Sequence, residues 1–107
     1  MDKDGTWREF RDNVNMTPRE LGDWLETSES KAAGQHKRAE SVGHESGRRI
    51  MQILRSKAAD LRDDDYRHMR KVIGYIHRHL AQRPQGDVRD TKWRYSLMNW
   101  GHDPLKT

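Results

Sequence analysis

Cysteine is absent from the 107 residues, which excludes a disulfide framework and any thiolate metal site and fits a reducing cytoplasm. Long apolar runs are absent too. A membrane span needs roughly 20 consecutive apolar residues, and no stretch comes near that. With no signal-peptide pattern at its start, the chain is expected to be soluble and cytoplasmic. Leu, Ile, Val and Phe together number only 16, few enough to raise the question of disorder. Two features answer it. The net charge is only +4, and four Trp, three Tyr and five Met add bulky apolar area outside that count. Hydrophobic residues at 32% and charged residues at 36% predict one small domain with a modest core and long polar connections.

The signatures of catalysis are also missing. No Gly-rich phosphate loop of the Walker or dinucleotide type occurs. Ser46 precedes a glycine but lacks the strand and tight turn of a nucleophile elbow. Asp63, Asp64 and Asp65 form a charge run at a helix start, which capping and the helix dipole explain without chemistry. The chain is expected not to be an enzyme and to need no cofactor.

Charge is present in quantity and unevenly placed. Residues 1–34 hold five basic and eight acidic side chains; residues 35–107 hold sixteen and nine. A basic surface attracts polyanions, because each phosphate neutralised by Lys or Arg releases a condensed counterion.

Helical periodicity runs through most of the chain, and no strand-period alternation appears. Trp7, Phe10 and Val14 mark a first helix over residues 4–13. Thr17, Pro18 and Glu20 spell a capping box, and Met16 and Leu21 a hydrophobic staple, for a second helix over 18–26. Residues 27–45 are rich in Ser, Gly and charge. They read as a long polar loop with room for a short helical turn after Ser28. Ser46 is the expected cap of a third helix over 47–59, with Ile50, Ile53 and Leu54 on its apolar side. That start puts Arg48 and Arg49 in the first turn, against the dipole.

The fourth helix is the strongest signal. Asp63 is its expected cap, and it continues to about residue 82, before Pro84. Tyr66, Met69, Val72, Ile73, Ile76 and Leu80 fall within about 120° of arc. Arg67, Lys71 and Arg78 fall almost opposite, within about 40° of one another, with Gly74 in the same outer stripe. A last helix over 92–100 has Thr91 as cap and Gly101 as stop, with Trp93, Leu97 and Trp100 inward. The expected fold is all-α, about five helices around a long fourth, with helices three and four as a helix-turn-helix-like pair. The expected core is Trp7, Phe10, Leu21, Trp24, Ile50, Leu54, Met69, Ile73, Ile76, Leu80, Leu97 and Trp100.

Six histidines invite a metal hypothesis, and the spacing argues against it. His77 and His79 point about 200° apart on a helix, and His68 and His79 are separated by about 16 Å of rise. No metal site is expected. The constellation with functional content is cationic: Arg48, Arg49, Arg55 and Lys57 on the third helix, Arg67, Lys71 and Arg78 on the fourth, with Lys37 and Arg38 in the loop. Together they suggest phosphate contacts to nucleic acid, duplex DNA favoured, without an obvious base reader. An ordinary solvated helix face would carry the same residues. The competing class is a protein-interaction module, associating through the acidic first third or through exposed Trp residues.

Several stretches are familiar together. They are Val14-Asn15-Met16-Thr17-Pro18 with Glu20, Leu21 and Trp24; Val42 to Ile50; Asp63 to Val72; Arg78 to Gln82; and Ser96-Leu97-Met98-Asn99-Trp100-Gly101-His102-Asp103-Pro104-Leu105. The chain resembles the bacterial and fungal DUF3140 family over nearly its whole length, the closing block being the most specific. Members are commonly labelled DNA-binding proteins, so the resemblance implies nucleic-acid binding, a nucleoid-associated location, and no catalytic residues or cofactor. Arg62 stands where the family leads one to expect a small cap such as Thr, which leaves the helix start to Asp63.

Overall fold

Tyr66, Met69, Val72, Ile73 and Ile76 are buried along one side of an 18-residue helix, and the rest of the chain is arranged around it. The computed structural model describes residues 2–33 and 42–106, among which there is no strand. Six α-helices follow in order: α1 (Lys3–Asn13), α2 (Pro18–Leu25), α3 (Ser28–Ala33), α4 (Val42–Arg55), α5 (Asp63–Leu80) and α6 (Lys92–Asn99). A 3-10 turn at Ala58–Asp60 lies between α4 and α5. The expected all-α architecture holds, with α3 in addition to the five helices read from periodicity. Helix α1 packs along α5, α2 along α4, and α6 lies against α2, α3, α4 and α5.

Local rules explain most starts and stops. Asp2 Oδ1 accepts from Gly5 N and opens α1. The capping box of α2 is complete, with Glu20 N donating to Thr17 Oγ1 at 3.1 Å and Thr17 N to Glu20 Oε1 at 2.9 Å. Thr91 Oγ1 caps α6, and Gly101, at φ +84°, ends it as a left-handed stop.

Three boundaries differ from expectation. The stretch 27–45 is not one loop: α3 fills Ser28–Ala33, α4 begins at Val42, and residues 34–41 lie outside the described ones. Ser46 does not cap α4 but is buried inside it, hydrogen-bonded to His68 Nε2 at 3.0 Å. Arg48 and Arg49 therefore sit in the second turn, so the expected conflict with the dipole is absent, and α4 stops at Arg55 rather than at 59. At α5 the cap position is Arg62, whose N–H donates to Asp65 Oδ2 at 3.0 Å. Asp63 is the first helical residue, and its carboxylate pairs with Lys3 at 2.9 Å.

The core contains Phe10, Leu21, Ile50, Met69, Ile73, Ile76, Leu97 and Trp100 as expected; Trp7, Trp24, Leu54 and Leu80 are only partly buried and pack on its edge. No Trp is exposed, so the indoles belong to the core and its margin and supply no exposed Trp surface for the alternative interaction-module reading. Val14, Met16, Leu25, Ile53, Tyr66, Val72, Val88, Trp93 and Met98 complete the interior.

Two of the family-like blocks are joined in space. Asn15 Nδ2 donates to the Asp103 carbonyl and Asp103 N to Asn15 Oδ1. His102 Nδ1 donates to the Asn13 carbonyl at 2.7 Å, and Met16 N to the Gly101 carbonyl. Lys106 pairs with Glu20, and Arg94 grips Asp103 through two bonds of 3.1 Å. Residues far apart in the chain thus close the fold with their own polar groups.

Candidate nucleic-acid interface

The cations of α4 and α5 surround a cleft of about 610 Å³ between those helices, with Arg48, Arg49 and Lys71 on its walls. Its polarity is mixed, because Glu45 and Asp65 line it as well. Arg49 lies 3.6 Å from Asp65, and Arg67 donates to Asp64 Oδ1 at 3.2 Å. The N-terminal half of the basic row is therefore partly balanced by the aspartates that begin α5. Farther along the helix the balance ends. Lys71 and Arg78 are exposed, seven residues apart on one face, and neither forms an ion pair among the described residues. Their Cα atoms are separated by about 10 Å of helix rise.

A second cavity of about 560 Å³ opens on the other side of Lys71, lined by α5 residues Lys71, Tyr75, Arg78 and His79 and by Ser96, Asn99 and Trp100 from the α6 end. Gly43 and the exposed Val42 form its α4 wall. Lys71 and Val42 border both hollows. The carboxylates of the cleft do not reach this second cavity, whose charged lining residues are Lys71 and Arg78.

Beneath these cations runs a column of rings. His68 stacks on Trp100, Trp100 on Tyr75 at 4.2 Å between centroids, Tyr75 on His79, and His79 on Trp93. Arg83 covers Trp93. Trp93 Nε1 donates to the His79 carbonyl at 2.7 Å and His79 Nε2 to the Trp93 carbonyl at 3.1 Å, which ties α5 to α6. Burial pushes His68 down to about 4, helped by the charges of Arg49 and Lys71. The ring is neutral near pH 7, so the column adds no positive charge there.

Of the sequence candidates, Arg48, Arg49, Lys71 and Arg78 are brought around the two hollows, whereas Arg67 is tied to Asp64. Arg55 and Lys57, exposed at the end of α4, line neither. Lys37 and Arg38 fall outside the described residues. Gly74 makes no tight helix contact; the nearest atom to a Cβ there is Arg78 Nη1 at 3.0 Å. Four of the described histidines serve structure: His44, His79 and His102 donate to backbone carbonyls, and His68 bonds Ser46. Sequence reasoning missed Tyr75, His79, Ser96, Asn99 and Gly43 as lining residues. The spacing of Tyr75 and His79, four apart, was the one available signal that they share a face.

A family model described as Protein of unknown function (DUF3140) matches residues 9–98. No curated protein and no solved structure matches the chain.

Proposed function

The chain belongs to the DUF3140 family, whose function is unknown, and we propose that it binds nucleic acid, duplex DNA favoured, through the basic side chains of α4 and α5. The reading is non-enzymatic, and a cytoplasmic, nucleoid-associated location goes with it. The observation that carries it is the pair Lys71 and Arg78, exposed on one face of α5 and without a carboxylate partner among the described residues. An exposed cation already paired to a carboxylate has little to offer a phosphate. One without a partner keeps its full attraction, and each such contact releases counterions. Arg48 and Arg49 stand across the cleft from Lys71 and extend the track to α4, Arg49 contributing less because Asp65 lies 3.6 Å from it. Because the cations project from helix surfaces toward phosphates, binding is dominated by the backbone and weak in sequence preference.

The test is binding of a 20-base-pair duplex of arbitrary sequence, followed by fluorescence anisotropy from 50 to 200 mM salt. Affinity is expected to fall steeply, by on the order of a hundredfold for four to five phosphate contacts. Absence of binding at 50 mM salt contradicts the reading.

A further inference from the structure

Trp100 is 4% exposed, and its indole lies nearly parallel to the rings of Tyr75 and His68, with centroids 4.2 and 6.3 Å away. Its Nε1–H has no acceptor among the described residues. The indole nitrogens of Trp24 and Trp93 differ, donating to Asn99 Oδ1 at 2.8 Å and to the His79 carbonyl at 2.7 Å. Among the described residues the enclosed side-chain N or O atom without a partner is Thr6 Oγ1, so the Trp100 N–H is open to solvent and available to an acceptor. Beside it stands Gly43, where a Cβ would lie 3.2 Å from the nitrogen. Both residues line the 560 Å³ cavity whose rim carries Lys71 and Arg78. The glycine keeps open the space that the donor faces.

Among the described residues the charged groups lining the cavity are both cationic, Lys71 and Arg78, with Ser96 and Asn99 adding neutral polar groups. Tyr75 and Trp100 spend their faces on the ring column, so they turn edges, the positive part of an aromatic quadrupole, to an occupant. The indole N–H and the two cations add to the same sign. The exposed Val42 supplies an apolar lip. A complementary ligand has an anionic group, a flat π-rich body and an acceptor atom on that body's edge. The volume suits a single unit of this kind.

We infer that this cavity receives one nucleotide: its phosphate between Lys71 and Arg78, its base against the edges of Tyr75 and Trp100, and a base acceptor on Trp100 Nε1–H. A free nucleoside monophosphate and an unpaired nucleotide in a strand present the same chemistry. The strand source rests on the nucleic-acid reading above; the free source does not.

The experiment uses the whole chain and two measurements. The first compares a ten-residue oligothymidylate with the same strand carrying a central abasic nucleotide, equal in charge. Loss of the base is expected to lower affinity about tenfold, the worth of one hydrogen bond and one edge-to-face contact. Gly43→Ala abolishes that difference while leaving the affinity for the abasic strand in place. The second follows the four indole N–H resonances in 15N spectra during additions of AMP or inorganic phosphate, with Trp100→Phe identifying the relevant signal. AMP is expected to move the Trp100 resonance and leave those of Trp24 and Trp93 in place, whereas inorganic phosphate moves none. Because this readout uses the wild-type chain, it stands even if Gly43→Ala folds poorly. Equal binding of the two strands with a stationary Trp100 signal overturns the nucleotide site and leaves backbone binding intact. No strand binding together with a Trp100 shift on AMP supports a free nucleotide as the occupant and leaves the duplex reading to its own salt titration. No shift and no strand binding overturns the nucleotide site, while the duplex reading stands or falls by its own salt titration.

Discussion

Gly47 of α4 lies so close to the end of α6 that a Cβ on it would stand 2.6 Å from the Asn99 carbonyl oxygen and 2.8 Å from Leu25 Cδ2. The first neighbour is backbone and cannot yield alone. Gly47→Ala gains about 1 kcal/mol of helix propensity but forces apart three elements, an overpacking cost of about 1–3 kcal/mol. The variant is expected to be less stable by up to about 2 kcal/mol in urea denaturation. Equal or higher stability contradicts the close approach.

Gly74 is the contrasting case. The atom nearest a Cβ there is the end of the Arg78 side chain, which swings away at little cost. Gly74→Ala is expected to stabilise the domain by about 0.5–1 kcal/mol through helix propensity. Destabilisation in the same assay contradicts the open environment.

Asn99 is fully buried. Its Oδ1 accepts from Trp24 Nε1 and Ser30 Oγ, while its Nδ2 donates to the Ser30 carbonyl. One side chain thus joins α2, α3 and α6. Asn99→Leu keeps the volume but strands those donors, and is expected to destabilise by about 2–4 kcal/mol. A loss below about 0.5 kcal/mol contradicts the network.

His68 sets an acid limit. Burial holds its folded pKa near 4, below the ordinary histidine value of 6.5, so the unfolded chain takes up the proton first as pH falls. Its contribution is intact above pH 6.5 and is lost between 6.5 and 4. Since the ring is only partly buried, solvent screening limits the effect to roughly 1–2 kcal/mol. Partly buried His79 is shifted in the same direction, again mainly by burial. His68→Gln is expected to flatten stability over that window, measured as urea midpoints from pH 4 to 7. An unchanged slope contradicts the assignment.

Much of this fold is written in local pattern. Thr17, Pro18 and Glu20 announce α2, and the stripe from Tyr66 to Ile76 announces α5, because capping and 3.6-residue periodicity act within a few positions. The start of α4 is hidden for a physical reason. Gly43 and Gly47 read as loop residues, yet they sit in a helix because α6 and Leu25 press against it there. That pressure comes from parts of the chain 22 to 57 residues away. Val88 is buried inside a turn, for which no periodicity exists. The cations of the site were legible as a stripe on α5. Which of them meet a carboxylate was not, since Arg49 reaches Asp65 only once α4 and α5 are placed. The cavity beside Trp100 is assembled from α4, α5 and α6, and no single segment signals it.

The salt dependence of duplex binding, compared between the wild type and Lys71→Gln/Arg78→Gln, tests the central claim most directly. Both positions are exposed, so the double variant is expected to keep the wild-type fold by circular dichroism. If these two cations meet phosphate, the slope of log K against log salt becomes shallower by about 1.8, roughly 0.9 for each lost contact. An unchanged slope and affinity contradicts the assignment of α5 as the binding face.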